Sequence, residues 1–147
     1  MDIPIKVLDA YALMAFLEDE PGARHVRRLF LEAVQGEVGL AITTVNLGEV
    51  YYSIARSGSL EVAERIVGEL TALPLEIVDV GWELARQAAQ LKAQTSISYA
   101  DCFAAGLARQ MGCAVVTGDP EFHRLEDKVE IEWLEREDGS GNRDTAE

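Results

Sequence analysis

The sequence predicts an α/β domain in which a mostly parallel central sheet carries helices on both faces. Three observations predict it. Short apolar runs rich in β-branched residues alternate along the chain with longer stretches of helical spacing. The runs alternate with one or two helical stretches, the order that points to crossover connections and parallel strands. The composition is globular, with 48% hydrophobic and 27% charged residues in a chain of 147, one domain's length.

The elements follow in order. IKVL (5–8) is a short apolar strand closed by Asp9, and helical spacing continues through Leu13, Phe16 and Leu17 to a turn at EDEPG. Pro21 suits the first turn of a second helix reaching about Val34. VGLAIT (38–43) is the second strand, and Leu47, Val50, Tyr51 and Ile54 mark the helix after it, ended by RSGS. A further helix spans about Leu60 to Leu73, stopped by Pro74. LEIVDV (75–80) reads as a strand and WELARQAAQLKAQ as a helix. Another helix covers Ser98–Met111, then CAVVT (113–117) and VEIEWL (129–134) close the sheet. No internal repeat or second domain is evident, so residues 1–136 form one domain and the acidic 137–147 segment is expected to be disordered.

Composition also narrows function. No apolar run reaches the 18 or so residues of a membrane span, and the start lacks the basic-then-apolar order of a signal peptide. Cys102 and Cys113 show no zinc spacing, which fits a reduced, cytoplasmic chain. The net charge of −13 excludes a nucleic-acid binder of the basic-patch kind. The one dense basic cluster, RHVRR (24–28), is either a solvated helix face or, through Arg27 and Arg28, a weak contact for substrate phosphates. His25 and His123, the only histidines, sit among charged residues and are expected to be exposed.

Four acids stand near strand ends, where open parallel sheets collect their ligands. Asp9 closes the first strand and Asp119 follows CAVVTG. Asp101 opens the helix leading into CAVVT, and Glu49 falls off the core stripe of its helix, on a side shared with Asn46 and Ser53. Each has a local explanation. Asp9 and Asp119 are good N-caps, Asp119-Pro120 especially. Asp101, three residues after Ser98, suits a capping arrangement and the positive end of the helix dipole. Glu49 could be a solvated helix residue. Taken together, four converging carboxylates would repel one another and call for a divalent cation, Mg²⁺ or Mn²⁺. Such a site activates a water and neutralises phosphate charge, making an acidic cleft receptive to a phosphodiester.

In order and spacing, VLDAYALMAFL, TTVNLGEV, ISYADCFAAGLA and VVTGDPEF resemble the PIN-domain ribonucleases, and especially the VapC-type toxins of toxin–antitoxin pairs. The resemblance covers about residues 5–134. It implies a three-layer α/β/α sandwich and a Mg²⁺- or Mn²⁺-dependent endoribonuclease whose acidic quartet is Asp9, Glu49, Asp101 and Asp119. It further implies a role for Thr117 in orienting Asp119 or a water held by the metal, and for Asn46 as a carboxylate partner or a helix cap. Tyr11 departs from the pattern, because relatives often carry Ser or Thr there; a Tyr hydroxyl donates from a longer, rigid arm. An RNA substrate, a cognate antitoxin and a homodimer are implied as partners. Two alternatives stay open: a PIN nuclease of RNA processing that is no toxin, and a catalytically silent PIN-like module that binds a partner.

Overall fold

Five parallel strands form the centre of the molecule, whose computed structural model describes residues 2–135. The elements are β1 (Ile5–Leu8), α1 (Ala10–Leu17), α2 (Ala23–Val34), β2 (Gly39–Thr43), α3 (Thr44–Ser57) and α4 (Leu60–Thr71). After these come β3 (Glu76–Val78), α5 (Trp82–Gln94), α6 (Tyr99–Met111), β4 (Ala114–Thr117), a short 3₁₀ helix (Pro120–Leu125) and β5 (Ile131–Trp133). The strand order is β3-β2-β1-β4-β5, with every neighbouring pair parallel. The expected three-layer α/β/α sandwich is therefore what the chain forms, with a sheet wholly rather than mostly parallel.

Side-chain alternation along the strands divides the core. Leu8, Leu40, Ile42 and Val116 point to the layer of α1–α4, where Leu13, Leu29, Phe30, Val50 and Leu70 meet them. Val7, Ala41 and Val115 point to the other face, against Leu84, Leu91, Phe103 and Leu107 of α5 and α6. Strands buried on both faces must read as continuous apolar runs, as IKVL, GLAIT and AVVT do.

Three local departures have physical reasons. Pro21 lies in the turn before α2, not in its first helical turn, because Gly22 takes a left-handed φ of 102° and becomes the cap. A Cβ on Gly22 would stand 2.9 Å from Leu134 Cδ1, so the close approach of β5's end also requires glycine. β3 keeps only three of the six residues in LEIVDV, since only Ala41, Ile42 and Thr43 pair with it. His25 is a correction: it is buried, not exposed. Its Nδ1 accepts the Glu135 backbone N–H at 3.0 Å, so the protonated Nε2 donates to Glu132 at 2.7 Å. Lys6 completes this cluster at 2.6 Å from Glu132, whose carboxyl is held down at about 2 by His25 and Lys6 against the effect of burial. Residues 137–147 lie outside the described residues, so the expected tail does too.

The order of the strands fixes where a ligand can sit. From β1 the chain builds β2 and β3 to one side, then crosses to build β4 and β5 on the other. The switch therefore falls between β1 and β4, and open parallel sheets take their ligands beyond the carboxyl ends of the strands at such a point.

Candidate active site

Asp9 follows β1 and Asp119 follows β4, on either side of that switch. α6 precedes β4 and runs antiparallel to the strands, so its first turn, with Asp101, comes to the same edge. α3 starts directly from β2 and brings Glu49 there in its second turn. All four acids are half-buried or buried, and Asp9 is only 1% exposed.

Each acid is tied down by neighbours that also explain its helix start. Asp9 caps α1, Oδ1 accepting the Ala12 N–H at 2.8 Å. Its Oδ2 accepts from the Thr117 hydroxyl at 2.5 Å, and the same Thr117 oxygen accepts the Asp119 N–H at 3.0 Å. Thr117 thus orients the Asp9 carboxylate and the Asp119 backbone, where the resemblance had pointed to Asp119 or a water. Asp119 caps the 3₁₀ helix through Glu121 N–H at 2.9 Å. Asp101 is not itself the cap of α6; its N–H donates to the Ser98 hydroxyl at 3.1 Å.

Asn46 organises the α3 side. The α3 cap is Thr43, whose hydroxyl accepts the Asn46 N–H at 3.0 Å and donates to Asn46 Oδ1 at 2.6 Å. This fixes the amide so that Nδ2 donates both to Glu49 Oε1 and to the Ala100 carbonyl, each at 3.1 Å. Of the two roles open to Asn46, carboxylate partner is the one it fills, and it also ties α3 to α6. The Thr43 contribution went unnoticed in the sequence, although a Thr before a helix with a polar residue three positions on is a capping signal.

Burial and, after it, mutual repulsion set the electrostatics of the site. Burial, joined by the charges of Asp101 and Asp119, pushes the Asp9 carboxyl up to about 8 despite the Thr117 and Ala12 hydrogen bonds. Asp101 rises to about 6 through burial and the charges of Asp119, Glu49 and Glu121. Glu49 is raised by burial and by Asp119, with Asn46 opposing. The charged groups that act most on these three acids among the described residues are other carboxylates. Glu121, two residues past Asp119, is a member of this field that the sequence pattern did not single out.

Two candidates lie elsewhere. Arg28 pairs with Glu135, and Arg27 is 3.8 Å from Asp19, so these two of the three arginines of RHVRR are engaged by acids of the α2 surroundings. Tyr11 stands at the site, two residues past Asp9, with its ring against Gly118. Among the described residues no three His, Cys, Asp or Glu side chains converge closely enough to hold a metal ion between them. What fits a cation is the chemistry of the donor set: four hard carboxylates, three of them raised by burial and by neighbouring carboxylate charge.

The model of one family, the PIN domain, matches residues 6–128. The chain belongs to the PIN-domain family. No curated protein sequence matches it. Several solved PIN-like structures are similar in fold. A chain of VapBC2 from Rickettsia felis, bound to a DNA fragment from its promoter, superposes with a TM-score of 0.72 at 21% identity, over 88% of this chain and 98% of that one. A chain of DNA-bound VapBC from Salmonella typhimurium gives 0.71 at 22% identity, over 90% and 99%. VapC20 from Mycobacterium tuberculosis, a sarcin–ricin loop cleaving toxin, gives 0.62 at 18%, over 84% and 95%. The match of the PIN model runs from β1 past the 3₁₀ helix and so includes all four acids.

Proposed function

We propose that this PIN domain, expected to extend through residue 136, is a metal-dependent endoribonuclease and the toxin of a type II toxin–antitoxin pair. The observation that carries the nuclease reading is the set of four acids from four separate elements at the β1/β4 switch, with Asp9, Glu49 and Asp101 raised by burial and by neighbouring carboxylates. Without a cation that arrangement costs folding free energy at neutral pH, and a purely structural role gives no reason to retain it.

Asp9, Asp101 and Asp119 would be the principal ligands of Mg²⁺ or Mn²⁺, directly or through water, with Glu49 as a further ligand or as the base that orients the attacking water. A divalent cation held there supplies neutralisation of phosphate charge and an activated water at neutral pH. The chain's own contribution is orientation. Thr117 and the Ala12 N–H fix both oxygens of Asp9, so its carboxylate cannot swing with the substrate. Asn46 holds Glu49 by one oxygen and leaves the other free to accept a proton. No covalent enzyme intermediate is required.

The toxin reading is supported by fold relatives that are themselves parts of VapBC complexes. It brings an antitoxin that presents a basic side chain to the carboxylates, and a homodimer. No described helix is long and apolar enough to cross a membrane, and a cytoplasmic site of action is proposed. A structured RNA is the first substrate to try, given the sarcin–ricin loop cleaved by one fold relative.

The test is cleavage of a structured RNA pool by the purified chain with Mg²⁺ or Mn²⁺ and with EDTA, alongside Asp101→Asn. Asn keeps the volume, and the Ser98 cap bond runs through the backbone N–H, so the variant stays folded. Metal-dependent cutting that disappears in Asp101→Asn is expected. Equal cutting by both proteins would reject the assigned site.

A further inference from the structure

An acidic protein that binds a polyanion gains from contacts that do not depend on charge, beyond what a bound cation supplies. With a net charge of −13, the whole-molecule field opposes a nucleic acid. Acids already engage Arg27 and Arg28 of RHVRR. The bases of an unpaired strand offer the alternative, because stacking on an aromatic ring is indifferent to net charge.

One ring is placed for it. Tyr11 is the second residue of α1, two past Asp9, and stays 45% exposed. Its ring lies against Gly118, the residue between Thr117 and Asp119. A Cβ on Gly118 would stand 2.5 Å from Tyr11 Cε1 and 3.2 Å from Cδ1, and 3.3 Å from Leu134 Cδ1. A side chain on Gly118 would have to displace the ring, which rests on the backbone leading to Asp119. Other exposed aromatics are differently placed. Tyr52 lies under the Arg56 guanidinium, Tyr99 packs on Phe103 and His123 stacks on Trp133. Trp82 opens α5 after the edge strand β3, two strands from the switch.

We propose that Tyr11 is a stacking platform that holds an unpaired nucleobase next to the scissile phosphate, so that the enzyme selects strands able to splay a base out of pairing. The assignment rests on the nuclease reading above and adds the residue that sets substrate position. It also accounts for a tyrosine where a small hydroxyl would have sufficed to support Asp9: Thr117 already performs that support.

The experiment uses the full chain, Mn²⁺ and a single-stranded RNA oligonucleotide, comparing the parent with Tyr11→Phe, Tyr11→Leu and Tyr11→Ala. Leu keeps an apolar side chain beside Gly118 but has no π-face, so it separates packing from stacking. Loss of stacking raises KM about tenfold in Leu and Ala, with kcat unchanged and Phe like the parent. Replacing the nucleotides around the cut one at a time by an abasic residue should erase the difference at a single position. KM unchanged in both Leu and Ala overturns the proposal while leaving the nuclease standing. A fall in kcat at constant KM overturns it too, because Tyr11 would then act by orienting Asp9. No cleavage by the parent in Mn²⁺ on either structured or single-stranded RNA removes the nuclease reading itself, and this proposal with it.

Discussion

Thr117 serves both acids of the switch with one hydroxyl, donating to Asp9 and accepting from the Asp119 backbone, and both it and Asp9 are shut away from solvent. Thr117→Val keeps the shape and removes both bonds. A buried carboxyl that loses one donor, and an N–H that loses its acceptor, should cost about 1–3 kcal/mol in a urea titration. The hydroxyl is also one of the two groups that lower the Asp9 pKa, so its removal drives that pKa further up. Cleavage that needs Asp9 ionised should then begin to rise at higher pH in the variant, with Thr117→Ser restoring the parent profile. At this scale the sequence was legible for the acids and not for their tethers. Asp9, Asp101 and Asp119 could be picked out because strand ends and helix starts are local signals. That Thr117 would turn to Asp9, 108 residues away, depends on β1 and β4 lying side by side. His25 misled for the same reason: its basic neighbours in sequence say nothing of Glu132 and the Glu135 N–H, which make its burial affordable.

Among the elements, α6 bears most directly on the site, since it carries Asp101 and is tied to α3 by the Asn46–Ala100 bond. Its position against α5 depends on Gly106, where an added Cβ would stand 3.3 Å from the Ala88 backbone nitrogen and 3.5 Å from Gln87 Cβ. The obstacle is helix backbone, which yields far less readily than a side-chain tip. Gly106→Val should therefore push the two helices apart and destabilise by about 1–3 kcal/mol, the usual range for overpacking. Asp101 moves with the helix, so cleavage should fall even at temperatures where circular dichroism shows the variant folded. Full activity in a folded Gly106→Val protein would mean that the α5–α6 spacing does not position Asp101. The run CFAAGLA made the burial of this helix legible, because a continuous stretch of small apolar residues has no solvent face. The length of β3 was not legible, since pairing with β2 and not composition ends it. Nor was the start of α2, where the positive φ of Gly22 overrode the preference of Pro21 for a first helical turn.

Over the whole molecule, two sets of carboxyls pull stability in opposite directions as pH changes. Asp9 has its pKa raised from 3.8 to about 8, and Asp101 from 3.8 to about 6. Between about pH 4 and 8 the folded chain keeps protons there that the unfolded chain has released, so stability falls as pH rises, by at most about 1.4 kcal/mol per pH unit for each proton. Glu132 behaves oppositely. Its pKa is lowered from 4.5 to about 2, so its contribution is present above about pH 4.5 and fades as pH drops towards 2. The metal-free protein should therefore be most stable near pH 4–5, where its net charge is also smallest, the pI being about 4.5. A cation at the switch replaces those protons. In EDTA the Tm should be lower at pH 8 than at pH 5, and Mn²⁺ at a hundred times its Kd should return about 2.7 kcal/mol at pH 8. At pH 5 the cation must displace protons from Asp9 and Asp101, so the same addition should do far less. Asp9→Asn should flatten the alkaline decline and abolish most of the Mn²⁺ response, because it removes both the charge that costs stability and a ligand that recovers it. A metal-free protein more stable at pH 8 than at pH 5, with Asp9→Asn behaving like the parent, would mean that these carboxyls do not repel one another enough to require a cation.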